Sequence, residues 1–225
     1  MSSEIKAETS NASNKSNKKP GGLNSYLIFY NAASWAGWTY VLVISVLELF
    51  EKGGDVTKLY DRIGWILTLV QTGATLEIFH VLLGFVKSPL VTTIIQVASR
   101  LTLVWAIVNN FPEIRSHWAF ASMAIAWSIT ECIRYAFYGL NLIGSQPGWL
   151  LWCRYTFFFI LYPVGAGSES LLVFESLPYA IKISQSFYWI LVTLLFIYVP
   201  GFYTMYTHMI GQRRKTLGKG KAKKN

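Results

Sequence analysis

The chain opens polar and then turns apolar in long blocks. Residues 1–22 are rich in Ser, Asn and Lys and end in Pro20-Gly21-Gly22. Such a segment cannot bury enough apolar surface to order itself, so a disordered tail is expected there. Beyond it, apolar residues run on for roughly 20 positions at a time, the length a helix needs to cross the hydrocarbon core of a bilayer. These runs cover about residues 23–50, 63–85, 90–108, 118–138, 149–174 and 187–206. Charged or turn-forming stretches separate them: residues 51–62, Lys87-Ser88-Pro89, Asn109-Asn110-Phe111-Pro112, residues 141–148 with Gly144 and Pro147, and residues 178–184. The pattern predicts an all-α polytopic membrane protein, a bundle of six transmembrane helices over residues 23–206. It leaves 1–22 and 207–225 as tails. No internal repeat is visible, which argues against a transporter built from repeats.

Composition strengthens this reading. Apolar residues make up 53% of the chain and charged ones 14%, too few polar groups to clothe a soluble domain of this size. The first twenty residues contain no apolar core of the kind a cleaved signal peptide needs. The net charge of +9 is concentrated at the ends. Lys6, Lys15, Lys18 and Lys19 precede the first span, and Arg213, Arg214, Lys215, Lys219, Lys221, Lys223 and Lys224 follow the last. Basic tails that flank spans report topology rather than nucleic-acid binding, so no nucleic acid is expected as a partner. An even number of spans puts both tails on one side, and the positive charge makes that side the cytosol. Tyr26, Trp65, Trp118 and Trp149 near span ends fit interfacial belts.

Ionisable groups inside spans are costly and each requires an explanation. Glu77 and His80, three apart, share a face of the second span and suit either a proton relay or a structural pair. Arg100, near the middle of the third span, has to face the bundle and find a carboxylate. Glu131 and Arg134 in the fourth are spaced for a local ion pair. Arg154 at the start of the fifth can snorkel to the headgroups. The three histidines, His80, His117 and His208, are mutually remote in sequence, so no histidine-box metal site, and no other cofactor, is expected. The two cysteines, Cys132 and Cys153, lie in apolar segments without disulfide or zinc spacing.

The fifth span carries the densest chemistry. Tyr162 and Glu169 are seven residues apart, two helical turns and about 10 Å of rise, on nearly one face. Helical side chains lean toward the N-terminus, which inclines Glu169 toward Tyr162. Pro163 interrupts one backbone hydrogen bond, and Gly165-Ala166-Gly167 leaves a small-residue groove. A phenol and a carboxylate beside such a groove suit an acid–base pair; a packed helix with a polar lumenal end suits the same letters.

These segments resemble a known family. Leu161-Tyr162-Pro163-Val164-Gly165 with Ser168-Glu169 resembles the signature of the very-long-chain (3R)-3-hydroxyacyl-CoA dehydratases, also called protein-tyrosine-phosphatase-like proteins. Gln96 to Arg100, Trp127 to Tyr135 and Trp152 to Tyr155 resemble its third-, fourth- and fifth-span segments, and the likeness, fungal in type, covers about residues 26–206. The resemblance implies catalysis by Tyr162 and Glu169, with Arg100, Glu131, Arg134, Arg154 and Gly165 supporting the site or binding substrate. It implies a long- or very-long-chain 3-hydroxyacyl-CoA substrate and residence in the endoplasmic reticulum. It also implies elongase, 3-ketoacyl-CoA reductase and enoyl-CoA reductase as partners. Phosphatase chemistry is not expected, because neither cysteine precedes a phosphate-cradling loop. Either of Tyr162 and Glu169 suits the acid or the base. Arg134 and Arg154, toward the cytosolic ends of their spans, suit the phosphates of CoA. A transporter with a polar pathway through Arg100, Glu131 and Glu169, or a scaffold without catalysis, is the rival reading. Lys221 and Lys223, near the C-terminal end, resemble a dilysine retrieval signal.

Topology yields the first test. Asn11-Ala12-Ser13 and Asn14-Lys15-Ser16 are glycosylation sequons. With a cytosolic N-terminus neither meets the lumenal transferase, and glycosidase treatment leaves the mass of the membrane-inserted protein unchanged. A glycan mapped to either asparagine would reverse the orientation of every span.

Overall fold

The computed structural model describes residues 21–222, Lys52 excepted. The tail up to Pro20, with its lysines and sequons, and the end from Lys223 lie outside these residues. The described chain is helical, with no strand among its elements. The helices are α1 (Gly22–Glu51), α2 (Leu59–Gly73), α3 (Thr75–Leu82), α4 (Leu90–Leu101), α5 (Trp118–Leu142), α6 (Gly148–Arg154), α7 (Phe158–Ile183) and α8 (Gln185–Ala222). A π-helical stretch, Thr102–Val108, extends α4, and a single 3₁₀ turn, Pro112–Ile114, leads toward α5.

Five passes are long and apolar enough to cross a membrane: α1, α2 with α3, α4 with its π-helical extension, α6 with α7, and α8. The sixth is α5, whose 25 residues also suffice in length. It is the most enclosed helix, packed against α1 on one side and α7 on the other. Its polar residues are tolerated because they face protein, not lipid. Along α1, Leu27, Asn31, Trp38, Val41, Ser45 and Glu48 are buried, one stripe at helical spacing. The main core gathers Trp38, Leu59, Ile63, Leu103, Ile107, Phe120, Met123, Trp127, Tyr135 and Leu172 between these helices. At the end of α1 the buried Glu48 pairs with Arg62 of α2. Exposed Phe29, Trp65, Val91, Ile160, Phe196 and Val199 face outward, where the hydrocarbon would be.

Four boundaries depart from the sequence pattern. The second pass is broken at Ala74, between α2 and α3. The fifth is broken at 155–157, where tightened bonds (Thr156 N–H to Cys153 O, 3.2 Å; Phe159 N–H to Thr156 O, 3.2 Å) alternate with α-helical ones such as Phe157 N–H to Cys153 O at 2.9 Å. Residues 178–184, expected as a loop, instead continue α7 to Ile183, leaving Ser184 as the whole connection to α8. Pro178 lies on the exposed face, while Leu177, Tyr179 and Ala180 beside it stay packed on the core. That packing outweighs the one backbone bond the proline removes. Finally, α8 runs for 38 residues without interruption at 206. This is about 57 Å, far more than a bilayer core requires, so its basic end projects beyond it.

Candidate active site

Glu169 and Tyr162 both lie on α7, at the face shared with α5 and α8. Gly165 and Ser168, buried between them, allow α7 to approach α5 closely. A Cβ at Gly165 would come within 3.8 Å of Trp127 Cδ1 and 3.9 Å of Ala126 Cβ. The same approach brings the Trp127 indole N–H to Glu169 Oε1 at 2.7 Å. From α8, the Tyr198 hydroxyl donates to the other carboxylate oxygen, Oε2, at 3.0 Å. Both oxygens of Glu169 are thus held, by donors from two different helices.

Tyr162 is held differently. Its ring stacks on Phe202, with centroids 5.2 Å apart and planes 19° from parallel, and on Tyr206 at 6.2 Å. Its hydroxyl makes no hydrogen bond to the described residues and is free for a substrate. Phe158 and Phe159 extend this aromatic wall toward Arg213, whose guanidinium lies 5.4 Å from the Phe159 centroid.

A buried chain of charges lies behind the pair. Arg100 pairs with Glu131 Oε1. The other oxygen of Glu131 takes Arg134, at 2.7 Å from Nε and 2.6 Å from Nη2. Arg134 then forks onto Glu77, with Nη1 to Oε2 at 2.8 Å and Nη2 to Oε1 at 2.9 Å. Tyr135 donates to Glu77 Oε1 at 2.6 Å, and Tyr30 approaches it at 3.4 Å. Two arginines against two carboxylates leave no net formal charge in this chain. The chain joins the site through Trp127, because Arg100 lies over the indole ring, 4.8 Å from its centroid, while the indole N–H holds Glu169.

Arg100, Glu131 and Arg134 are therefore brought together, and Gly165 and Glu169 adjoin them through Trp127. Arg154 stands apart. It donates to Tyr138 O–H at 2.9 Å and lies over Phe137 and Tyr138, while its Nη1 is buried without a hydrogen-bond partner. Arg134, expected to be available for phosphate, is wholly engaged by Glu77 and Glu131. Glu77 and His80 share no hydrogen bond: His80 Nε2 meets Tyr26 O–H at 2.9 Å instead. Among the described residues no three His, Cys, Asp or Glu side chains gather as a metal site. Sequence reading missed Tyr198 and the role of Trp127. Trp127 was open to detection, since it precedes Glu131 by one helical turn on the same face. Tyr198 sits in an unbroken apolar, aromatic run with nothing to set it apart.

Fold and site together define a multi-pass helical membrane protein with a carboxylate and a phenol set in its interior. The chain belongs to the family described as "Protein tyrosine phosphatase-like protein, PTPLA", whose family model matches residues 71–219. It is 46% identical over 196 residues to the probable very-long-chain (3R)-3-hydroxyacyl-CoA dehydratase of Schizosaccharomyces pombe, covering 84% of this chain and 91% of that one. Identity is 43% over 210 residues to the very-long-chain (3R)-3-hydroxyacyl-CoA dehydratase PASTICCINO 2 of Arabidopsis thaliana, covering 87% and 94%. To the human very-long-chain (3R)-3-hydroxyacyl-CoA dehydratase 2 it is 38% over 206 residues, covering 86% and 81%. No solved structure matches the chain.

Breaking the charge chain should be severe. Glu131→Gln strands Arg100 in the interior and leaves Arg134 with Glu77 alone, a loss of about 3–5 kcal/mol. The exposed Glu113→Gln changes stability by well under about 1 kcal/mol. Melting of the two purified variants in one detergent checks this. Equal melting temperatures would mean that the buried pairs do not hold the bundle.

Proposed function

We propose that the chain is a hydro-lyase that removes water from a (3R)-3-hydroxyacyl-CoA to give the trans-2-enoyl-CoA, the third step of very-long-chain fatty-acid elongation. The observation that carries this reading is a carboxylate held at both oxygens beside a phenol whose hydroxyl is free. Dehydration needs a base and an acid, which this combination supplies, because the Cα proton is weakly acidic and hydroxide is a poor leaving group. The indole N–H of Trp127 can only donate, so it favours Glu169 as an acceptor, the ionised form. Glu169 is accordingly the base that takes the Cα proton, and Tyr162 the acid that protonates the departing hydroxyl. The aromatic wall of Phe158, Phe159, Phe202 and Tyr206 flanks the phenol and suits the apolar part of a long acyl chain.

Relatives named as dehydratases support the substrate class. The basic ends favour cytosolic termini, with the protein resident in the endoplasmic reticulum membrane as a multi-pass enzyme. That location sets it beside the elongase, 3-ketoacyl-CoA reductase and enoyl-CoA reductase, the enzymes that make its substrate and consume its product. Arg154, with an unpaired guanidinium nitrogen, suits a phosphate of the CoA head. Phosphatase chemistry finds no support: Cys132 faces Thr39 Oγ1 at 3.4 Å inside the bundle, and Cys153 lies within the short α6.

Two measurements test this. Purified Tyr162→Phe and Glu169→Gln should each lose about 10²–10⁴ in kcat for a long-chain 3-hydroxyacyl-CoA, with product identified by mass. Their double variant should be scarcely worse than the poorer single one, as expected of groups acting in one step. Tyr155→Phe, on the same pass, keeps most activity. Near-normal turnover in either single variant sinks the assignment. Substrate that crosses a proteoliposome unchanged favours a transporter, and neither transport nor turnover favours a scaffold. Arg154→Ala should raise KM about tenfold, the worth of one charge-assisted hydrogen bond, with kcat nearly kept. Unchanged kinetics in a poorly folding variant would make Arg154 structural.

A further inference from the structure

We propose that Tyr198 is a positioning residue of this site: it holds Oε2 of Glu169, and it reverses its hydrogen bond when that oxygen takes a proton. Trp127 meanwhile fixes Oε1 as a standing acceptor. The inference rests on Glu169 being the carboxylate that transfers the proton.

The two donors differ in kind. An indole N–H donates and never accepts. Oε1, at 2.7 Å from Trp127 Nε1, therefore stays an acceptor throughout. A protonated carboxyl oxygen is the poorer acceptor, so an incoming proton is directed to Oε2. There it meets the Tyr198 hydroxyl, 3.0 Å away, which both donates and accepts. While Glu169 is ionised, Tyr198 donates to it; once Oε2 bears a proton, the same contact survives with the roles exchanged. In either state the contact between Oε2 and Tyr198 is kept, an economy that matters where losing it costs about 1–3 kcal/mol.

Placement supports this role. Tyr198 lies one turn before Phe202 on α8, hence on the same face. Phe202 is the ring on which Tyr162 stacks at 5.2 Å. Tyr198 thus stands in the α7–α8 contact alongside both reacting groups, Tyr162 and Glu169. The Cα–H bond breaks and its proton forms an O–H bond on Oε2. The electron pair becomes the Cα–Cβ double bond as the Cβ–O bond breaks, and the leaving oxygen takes the proton of Tyr162 and departs as water. The proton on Oε2 then returns to the Tyr162 oxygen before the next turnover. No oxidant or reductant is needed.

The test uses full-length protein in detergent, with wild type and Glu169→Gln run beside Tyr198→Phe. In Tyr198→Phe, kcat should fall about 10–100-fold, the range for a hydrogen bond to a charged group, while KM stays within about twofold and the melting temperature is kept. The infrared carboxyl band of Glu169, identified by its absence in Glu169→Gln, should shift. Trp127→Phe keeps a ring beneath Arg100, removes the N–H, and should shift the same band. A folded Tyr198→Phe enzyme whose kcat stays within about twofold of wild type overturns the proposal. So does a loss of kcat that only tracks lost melting with an unmoved band. Should Glu169→Gln turn over normally, the assignment of the base fails first. The band still decides the present inference: if Tyr198→Phe leaves it unmoved, Tyr198 does not hold Glu169.

Discussion

A charge cannot stand alone in hydrocarbon, and the interior of this bundle is organised by that constraint. Arg100, Glu131, Arg134 and Glu77 come from α4, α5 and α3, and each is neutralised by the next. The chain fixes the rotation of three helices at once, because a turn of any one of them would strand a charge. Glu131 is the critical member: it is 2% exposed and receives an arginine on each oxygen. Its helix is the least apolar of the six passes, and the one most enclosed by the others. Polarity and enclosure are two aspects of the same arrangement.

Much of this was legible in the sequence, and the legible part is the part governed by large free energies. Six apolar blocks predict six passes because each unpaired backbone group in lipid costs several kcal/mol. The requirement that Arg100 find a carboxylate follows from the same physics, and Glu131 meets it. The spacing of Glu131 and Arg134 predicts their contact, and Gly165 marks the close approach to α5. What escaped is governed by smaller balances. The breaks at Ala74 and at 155–157 exchange one hydrogen-bond pattern for another at little cost. The helix through Pro178 survives because Leu177, Tyr179 and Ala180 pack on the core, a fact of tertiary structure that no local propensity contains. The full engagement of Arg134 by Glu77 escaped because a pairing 57 residues apart leaves no periodic trace.

Trp127 explains how supporting residues affect the site without entering it. One face of its ring carries Arg100, and its N–H holds Glu169. Arg100 and Glu131 are thereby coupled to the reacting carboxylate through one rigid side chain. This gives the motif positions on α4 and α5 a physical role that does not require them to meet substrate. It also separates them from Arg154, whose partners are the rings of Phe137 and Tyr138 and whose spare donor points elsewhere. Arg100 and Arg134 belong to the chain behind the carboxylate, and Arg154 belongs to no such chain.

The last helix completes the argument. α8 packs chiefly on α7 and buries little of itself, yet it supplies Tyr198, Phe202 and Tyr206, the groups that touch Glu169 and Tyr162. The side of the site toward α5 is therefore stiff, locked by ion pairs and by the Trp127 contact. The side toward α8 is held by ring stacking and one hydrogen bond, interactions that a substrate can displace and restore. Under the proposed function a long acyl chain would reach Tyr162 and Glu169 from within the membrane, and the α7–α8 contact is the more weakly held wall. The carboxylate sits where the two sides meet. Its Oε1 is bound to the rigid half and its Oε2 to the yielding half, so the oxygen proposed to change its protonation lies on the side that can move.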